Sequence, residues 1–259
     1  MFFKDFPKVE YDFNRTGVLQ KMVDLFRSVR PLPTFLDDFS AYKFYEIKNG
    51  ERPDLVSGRL YDTSKYYWTF FLINDHLHDG YRAWPMSQEG LQNYMTKEYN
   101  GFAIETQPLI VQGFANSLAG RFTMGETVTG SISGATGTVT KKNVDMSQLI
   151  VQNATGTFVA PEAITGGTST DSISSKRVYK YIDAPYYYYK TTDPLKKPVT
   201  NSEHIGKGTL GGSVDHGELS FISNRAYLEE TNDNNAKIRY VDPAYINRFA
   251  SQFRDLINR

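Results

Sequence analysis

YKFYEIKNGERPDLVSGRLYDTSKYYWTFFLINDHLHDGYRAWPMSQ, residues 42–88, moves from strand-like alternation to helical segments within one short stretch. Residues 42–47 alternate enough to form a strand, and Asn49-Gly50 after them is a turn signal. Pro53 suits the first turn of a helix reaching Tyr61, where its missing N–H costs no hydrogen bond and its fixed φ is already helical. Asp62 or Ser64 can cap a second helix over residues 65–74, with Tyr67-Trp68-Thr69-Phe70-Phe71-Leu72-Ile73 at its centre. Apolar side chains cover most of that helix, so it needs cover on more than one side, either in a core or against a partner. A further helix over residues 87–99 follows Trp84-Pro85.

Upstream, Thr16 can cap a short helix whose apolar residues Leu19, Met22, Val23, Phe26 and Val29 keep a 3–4 spacing, ended by Pro31 and Pro33. At the other end, Asp242-Pro243 pairs an N-cap with a residue suited to the first helical turn, predicting a terminal helix over residues 243–258. Ile246, Phe249, Phe253 and Leu256 then form an apolar seam with Asn247, Arg248, Gln252, Arg254 and Asp255 on the polar side. Such a seam packs on its own domain or docks on another chain.

Between them, residues 117–175 change character: Ser, Thr and Gly dominate and charges thin out. The short β-branched runs ETVTGSI, GTVT and QLIVQN, bounded by Gly, predict a small all-β module. It repeats itself: Phe122, Glu126, Val128, Thr129 and Gly130 recur 36 residues later as Phe158, Glu162, Ile164, Thr165 and Gly166. The second copy is truncated, which suits a compact inserted barrel or sandwich better than a solenoid.

The chemistry-bearing motifs are few. Asp75-His76-Leu77-His78-Asp79 has metal-ligand residue types, but histidines at i and i+2 point apart on a strand or a helix, so a polar surface loop is expected and no metal. His204 and His216 lie far away in the chain, and Gly206-Lys207-Gly208-Thr209 lacks the glycine spacing of a phosphate cradle. The sequence has no His-Glu-x-x-His and no Gly-x-Ser-x-Gly, and nothing singles out a catalytic carboxylate pair. An enzyme is not expected, nor a cofactor. Tyr186–Tyr189 suggests an edge or interface strand with two rings buried and two exposed, or a stacking surface for sugars or bases. Equal numbers of cationic and acidic residues, 29 of each, argue against a nucleic-acid binder driven by phosphate neutralisation. The absence of cysteine removes disulfides and thiolate sites. No apolar run spans a membrane, and MFFKDFPKVEYDF reads as no export leader, so an intracellular product is expected.

Residues 42–88 resemble the LysM-like core of the baseplate wedge subunit of T-even-type contractile-tailed bacteriophages. The resemblance is carried by the Tyr-rich strand, the turn, Arg52-Pro53, Leu60-Tyr61, Tyr67-Trp68 before an apolar helix, Asn74-Asp75, and Trp84 before Ser87-Gln88. Asp24-Leu25-Phe26-Arg27 upstream and residues 229–256 downstream are similar to that family as well; the Gly/Thr module departs from it. The resemblance implies an α+β fold. An arm over residues 1–41 precedes a LysM-like βααβ core over 42–116, an inserted all-β module over 117–175, and a C-terminal segment over 176–259 ending in the amphipathic helix. It also implies a structural virion protein of the tail baseplate, assembled in the host cytoplasm and present in several copies in a symmetric ring. Such a protein joins neighbouring wedges around the hub and contacts the wedge's scaffolding subunits. Tyr67, Trp68, Phe70, Phe71, Trp84, Ile246, Phe249, Phe253 and Leu256 are then the expected partner-facing residues. The alternative is a LysM-type module binding the N-acetylglucosamine of peptidoglycan. Against it, Gly50-Glu51-Arg52-Pro53-Asp54-Leu55 stands where such modules carry Gly-Asp-Thr-Leu.

Overall fold

The computed structural model describes residues 6–24, 41–106, 118, 120–144, 146–199 and 219–258. In chain order its elements begin with β1 (Lys8–Tyr11), β2 (Gln20–Val23), β3 (Tyr42–Glu46), α1 (Pro53–Tyr61), α2 (Trp68–Ile73), α3 (Gln88–Glu98) and β4 (Phe102–Thr106). Then come β5 (Thr127–Gly130), β6 (Thr136–Asn143), β7 (Gln148–Thr155), β8 (Ala163–Gly166), β9 (Ser172–Lys180) and β10 (Pro185–Lys190). The chain closes with β11 (Leu219–Ser223), α4 (Asn224–Asn235), β12 (Lys237–Val241) and α5 (Ile246–Ile257). This is a mixed α+β chain of two units, Met1–Gly90 with Thr231–Arg259, and Leu91–Glu230.

In the first unit β3 pairs antiparallel with β12, Tyr42 opposite Val241 and Glu46 opposite Lys237. Asn74, buried at the end of α2, locks this pair in place. Its Nδ2 donates to the Arg239 carbonyl at 2.9 Å, and its Oδ1 accepts the Arg239 N–H at 2.8 Å, so the side chain acts as a strand partner for β12. The same Nδ2 also donates to the Phe70 carbonyl. Helix α1 starts on Pro53 and ends on Asp62 in the left-handed region. Asp62 therefore closes α1 and does not cap the next helix; the Oγ1 of Thr63 accepts the Lys65 N–H instead. The apolar stretch begins as a 3₁₀ turn, Ser64–Tyr66, and becomes α-helical only at Trp68, so the helix expected over 65–74 is split.

Two further expectations need correction. The helix expected after Thr16 is replaced, over residues 20–23, by a strand pairing with β1. The Asp12 carboxylate accepts the N–H groups of Thr16 and Gly17, and Arg15 and Gly17 take positive φ, which turns the chain back on itself. Leu19, Met22 and Val23 fit a helical spacing, but the Asp12 turn makes the hairpin the local solution; Phe26, Val29, Pro31 and Pro33 lie outside the described residues. The terminal helix starts at Ile246, not at residue 243, because Asp242 first closes a turn by accepting the N–H groups of Tyr245 and Ala244 while pairing with Lys43 at 2.8 Å. Its buried seam is Ile246, Phe249, Ala250, Phe253 and Ile257, with Leu256 half-buried beside it.

The second unit is built on a closed six-stranded antiparallel barrel in the order β4-β7-β6-β5-β8-β9. The sequence repeat is its symmetry. Strands β5 and β8 pair with Val128 opposite Gly166, Thr129 opposite Thr165 and Gly130 opposite Ile164. A two-fold axis through the Thr129–Thr165 pair thus carries each residue onto its repeat mate. The repeated glutamates make reciprocal clasps. Glu126 accepts the N–H groups of Thr168 and Ser169 and the Ser169 hydroxyl, while Glu162 accepts those of Ile132 and Ser133 and the Ser133 hydroxyl. Gly130 and Gly166 leave room for these carboxylates, since a Cβ at either would collide with the opposing clasp. The third strand of the first copy is β7, and β4 occupies the matching place in the second. The truncated copy is completed by a strand that precedes both in sequence. The interior is filled by Ile104, Leu118, Phe122, Val128, Val139, Leu149, Val151, Phe158, Ile164 and Ile173, each large aliphatic worth about 1.5–3 kcal/mol on burial.

Replacing Asn74 by Ala is expected to destabilise the first unit by about 1–3 kcal/mol for each Arg239 backbone group left unsatisfied, measured by urea unfolding. For the clasps, burial alone would raise the Glu126 and Glu162 carboxyls. The N–H groups of Ser169 and Thr123 on the first, and of Ser133 and Val159 on the second, outweigh it and hold both below the ordinary carboxylate range. Groups with depressed folded pKa values give their full stabilisation above the unfolded value of about 4.3 and lose it as pH falls through the folded value. The barrel should therefore weaken on acidification below about pH 4. A Glu126→Gln/Glu162→Gln variant should be less stable at neutral pH and show a flatter acid limb in thermal unfolding.

Candidate interaction surface

The aromatic residues flanking α2 fall into two groups. On one side Phe70, fully buried, stacks on Tyr61 with ring centroids 6.1 Å apart and tilts onto Trp84 at 6.1 Å. Phe71 meets the edge of Trp84 at 5.6 Å and Tyr81 at 5.4 Å, and Tyr67 lies 6.3 Å from Tyr81. The Trp84 indole N–H donates to the Glu51 carbonyl at 2.7 Å. Glu51 itself pairs with Arg59 and accepts the Tyr45 hydroxyl, which fixes the turn after β3. On the other side Trp68 lies 4.7 Å from Phe253 and 6.2 Å from Phe249, so the α5 seam packs on its own unit. Of the nine residues expected to face a partner, Phe70, Trp84, Ile246, Phe249 and Phe253 are buried within this unit; Tyr67, Trp68, Phe71 and Leu256 are half-buried.

Among the described residues of the first unit, the β1–β2 hairpin carries a group of exposed apolar side chains that sequence reasoning missed. Residues opposite one another in an antiparallel pair share a face. Val9 faces Met22 and Tyr11 faces Gln20, while Glu10 faces Lys21 on the other side. Val9, Tyr11 and Met22 are all exposed, as are Phe13, Val18 and Leu19 in the connecting loop, Phe13 at 69%. Phe6, at the base of the hairpin, is buried with Phe253 and Ile257, and Val23 packs against the same cluster. The hairpin is thus rooted in the unit's core and presents an uncovered apolar face beyond it. Two strands alone are marginally stable in water. The Asp12–Gly17 turn was the sequence signal that could have identified it.

In the second unit the tyrosine quartet lies on β10, paired with β11. A bulge between Pro185 and Tyr187 breaks the alternation, so only Tyr188 is buried and Tyr186 is exposed. The Tyr188 hydroxyl donates to Glu105 Oε1 at 3.4 Å; burial raises both groups above their ordinary values. Tyr186 stacks on Tyr227 with centroids 3.7 Å apart, and its hydroxyl is pushed up to about 12 by the hydrogen bond to Tyr227, aided by burial. Tyr99 packs on Tyr181 at 4.9 Å and is pushed up to about 12, chiefly by burial.

His76 and His78 lie exposed on and beside a 3₁₀ turn, Asp75–Leu77, where His78 pairs with Asp79 at 3.1 Å. Burial and the Arg239 charge lower the His76 pKa. Among the described residues no group of three or more metal-ligating side chains gathers, and no helix is long and apolar enough to cross a membrane. His204, His216 and residues 206–209 lie outside the described residues.

Residues 1–108 of the chain match the family described as base plate wedge protein 53. No curated protein matches the chain. The matched segment contains the hairpin, β3, α1, α2, α3 and the first barrel strand; most of the barrel and the terminal helix lie beyond it.

Phe70→Ala is expected to cost about 3–5 kcal/mol, as a fully buried aromatic does. Phe44→Ala, removing a ring that is 78% exposed, should leave stability nearly unchanged; chemical denaturation of the two variants distinguishes core from surface.

Proposed function

We propose that the chain, whose residues 1–108 match the base plate wedge family, is a structural subunit joining neighbouring wedges around the hub of a contractile-tail baseplate. The observation that carries this reading is the uncovered apolar face of the β1–β2 hairpin, which lies within the matched residues. Permanent assemblies bury large apolar surfaces, and aromatic side chains are enriched at their centres. Val9, Tyr11, Phe13 and Met22 form the primary contact, seated on an apolar surface of another baseplate subunit, with Glu10 and Lys21 left to solvent. Tyr67, Trp68, Phe71 and Leu256 are secondary contacts, whereas Phe70, Trp84, Ile246, Phe249 and Phe253 shape the unit that presents them.

The order β3, α1, α2, β12, with its outer strands antiparallel, supports a LysM-like βααβ core whose closing strand comes from residues 237–241. In this role the protein acts mechanically, not catalytically. It occurs in several copies in the virion tail, assembles in the host cytoplasm, and holds wedges to one another and to their scaffolding subunits until the tail contracts.

A Tyr11→Asp/Phe13→Asp variant tests the reading. It is expected to fold with an unchanged melting temperature, since both side chains are exposed, yet to be missing from baseplates purified from cells in which it replaces the wild-type chain. Incorporation at the wild-type level would sink the hairpin as the joint.

A further inference from the structure

The second unit contains an open cavity of about 560 Å³, within the size range of small-molecule sites. Its wall combines three kinds of group. Tyr99 and Phe102 supply aromatic surface, Asn100 and Asn153 supply amides, and Lys180 and Arg225 supply positive charge. No Asp or Glu lines it. Arg225 pairs with Asp183 at 3.1 Å. Lys180 stands exposed at the end of β9 with no ion pair among the described residues. Asn153 is exposed with a positive φ, and Asn100 directs its Nδ2 to the Lys97 carbonyl, leaving its Oδ1 available to a ligand donor. Tyr99 is held in place from behind by Tyr181 and Tyr94.

We propose that this cavity is a binding site for an acidic oligosaccharide. Amide groups both donate and accept, matching the hydroxyls of a sugar ring. The half-buried Tyr99 ring offers an apolar surface against which a pyranose can lie, while Phe102 packs against the barrel interior. Lys180, with no lining carboxylate against it, selects a negatively charged sugar over a neutral one, and Arg225 adds guanidinium donors although its charge is paired with Asp183. A charge at this rim acts through water and is weakened by salt. The negative group is a carboxylate or a phosphate, since either satisfies an ammonium and a guanidinium. The site lies in the second unit and does not depend on the hairpin contact.

The test uses the full chain with four fluorescent oligomers, namely oligogalacturonate, phosphorylated dextran, neutral dextran and oligo(dT), by fluorescence polarisation at low and high salt. Binding of oligogalacturonate or of phosphorylated dextran, weakened by salt, is expected, and whichever binds identifies the charge recognised. Lys180→Glu should weaken it by at least about ten-fold, with an unchanged melting temperature, and Lys180→Arg should restore it. The proposal is overturned if neither acidic oligomer binds at millimolar concentration, or if dextran binds equally well. It is also overturned if oligo(dT) binds more tightly than both, or if Lys180→Glu retains wild-type affinity.

Discussion

The antiparallel pair between β3 and β12 is the interaction on which the first unit depends. It joins residues 42–46 to residues 237–241, and the chain between them contributes a whole second unit. Closing such a long loop would carry a conformational entropy cost if the intervening chain were flexible, though that cost grows only slowly with length. Residues 91–230 fold into a compact unit of their own, so most of that ordering is offset by the barrel's core. What remains is to seat β12, and Asn74 does this with one side chain hydrogen-bonded to both backbone groups of Arg239. The Arg239 guanidinium then reaches the Ile73 carbonyl and lies over the Tyr42 ring, binding strand, helix and neighbouring strand together.

Everything else in that unit follows from the seated pair. With Ile238 and Val241 in place, Phe70 and Trp84 close one side of α2, and Ile246 and Phe249 close the other. Helix α5 in turn supplies Phe253 and Ile257, against which Phe6 anchors the hairpin. The hairpin's exposed apolar side chains are therefore held at the far end of a chain of buried contacts that begins at β12. Five of the residues expected to face a partner, Phe70, Trp84, Ile246, Phe249 and Phe253, form part of that internal support.

The barrel is organised differently, by a local rule applied twice. Each glutamate caps the loop of the other repeat, and each glycine leaves the space for that carboxylate. This reciprocal arrangement gives Glu126 and Glu162 several charge-assisted hydrogen bonds apiece. It accounts for a repeat in which Glu and Gly recur alongside the apolar positions. Outside the barrel, Ala103 and Ile150 pack against Ala184 with Tyr179 and Tyr181, so β4 is buried on both faces.

Features that depend on neighbours along the chain were legible in the residue pattern. Pro53 placed the start of α1, Asn49-Gly50 the turn after β3, and the β-branched runs between glycines the strands of an all-β module. The 36-residue repeat was legible in the sequence, and the antiparallel pairing of its two copies in the fold turned it into a two-fold axis. Tertiary structure decided what depends on residues far apart. That β4 completes the second repeat and that Asn74 reaches β12 are outcomes of pairings the local pattern does not encode. The same holds for the expected partner residues. Periodicity places Phe249 and Phe253 on one face of their helix, and Phe70 lies in a helix apolar nearly all round, but only the presence of Tyr61, Trp84 and Trp68 beside them shows that their own unit already covers them. An apolar side chain is attracted to any apolar surface, and only the tertiary fold specifies which one it meets.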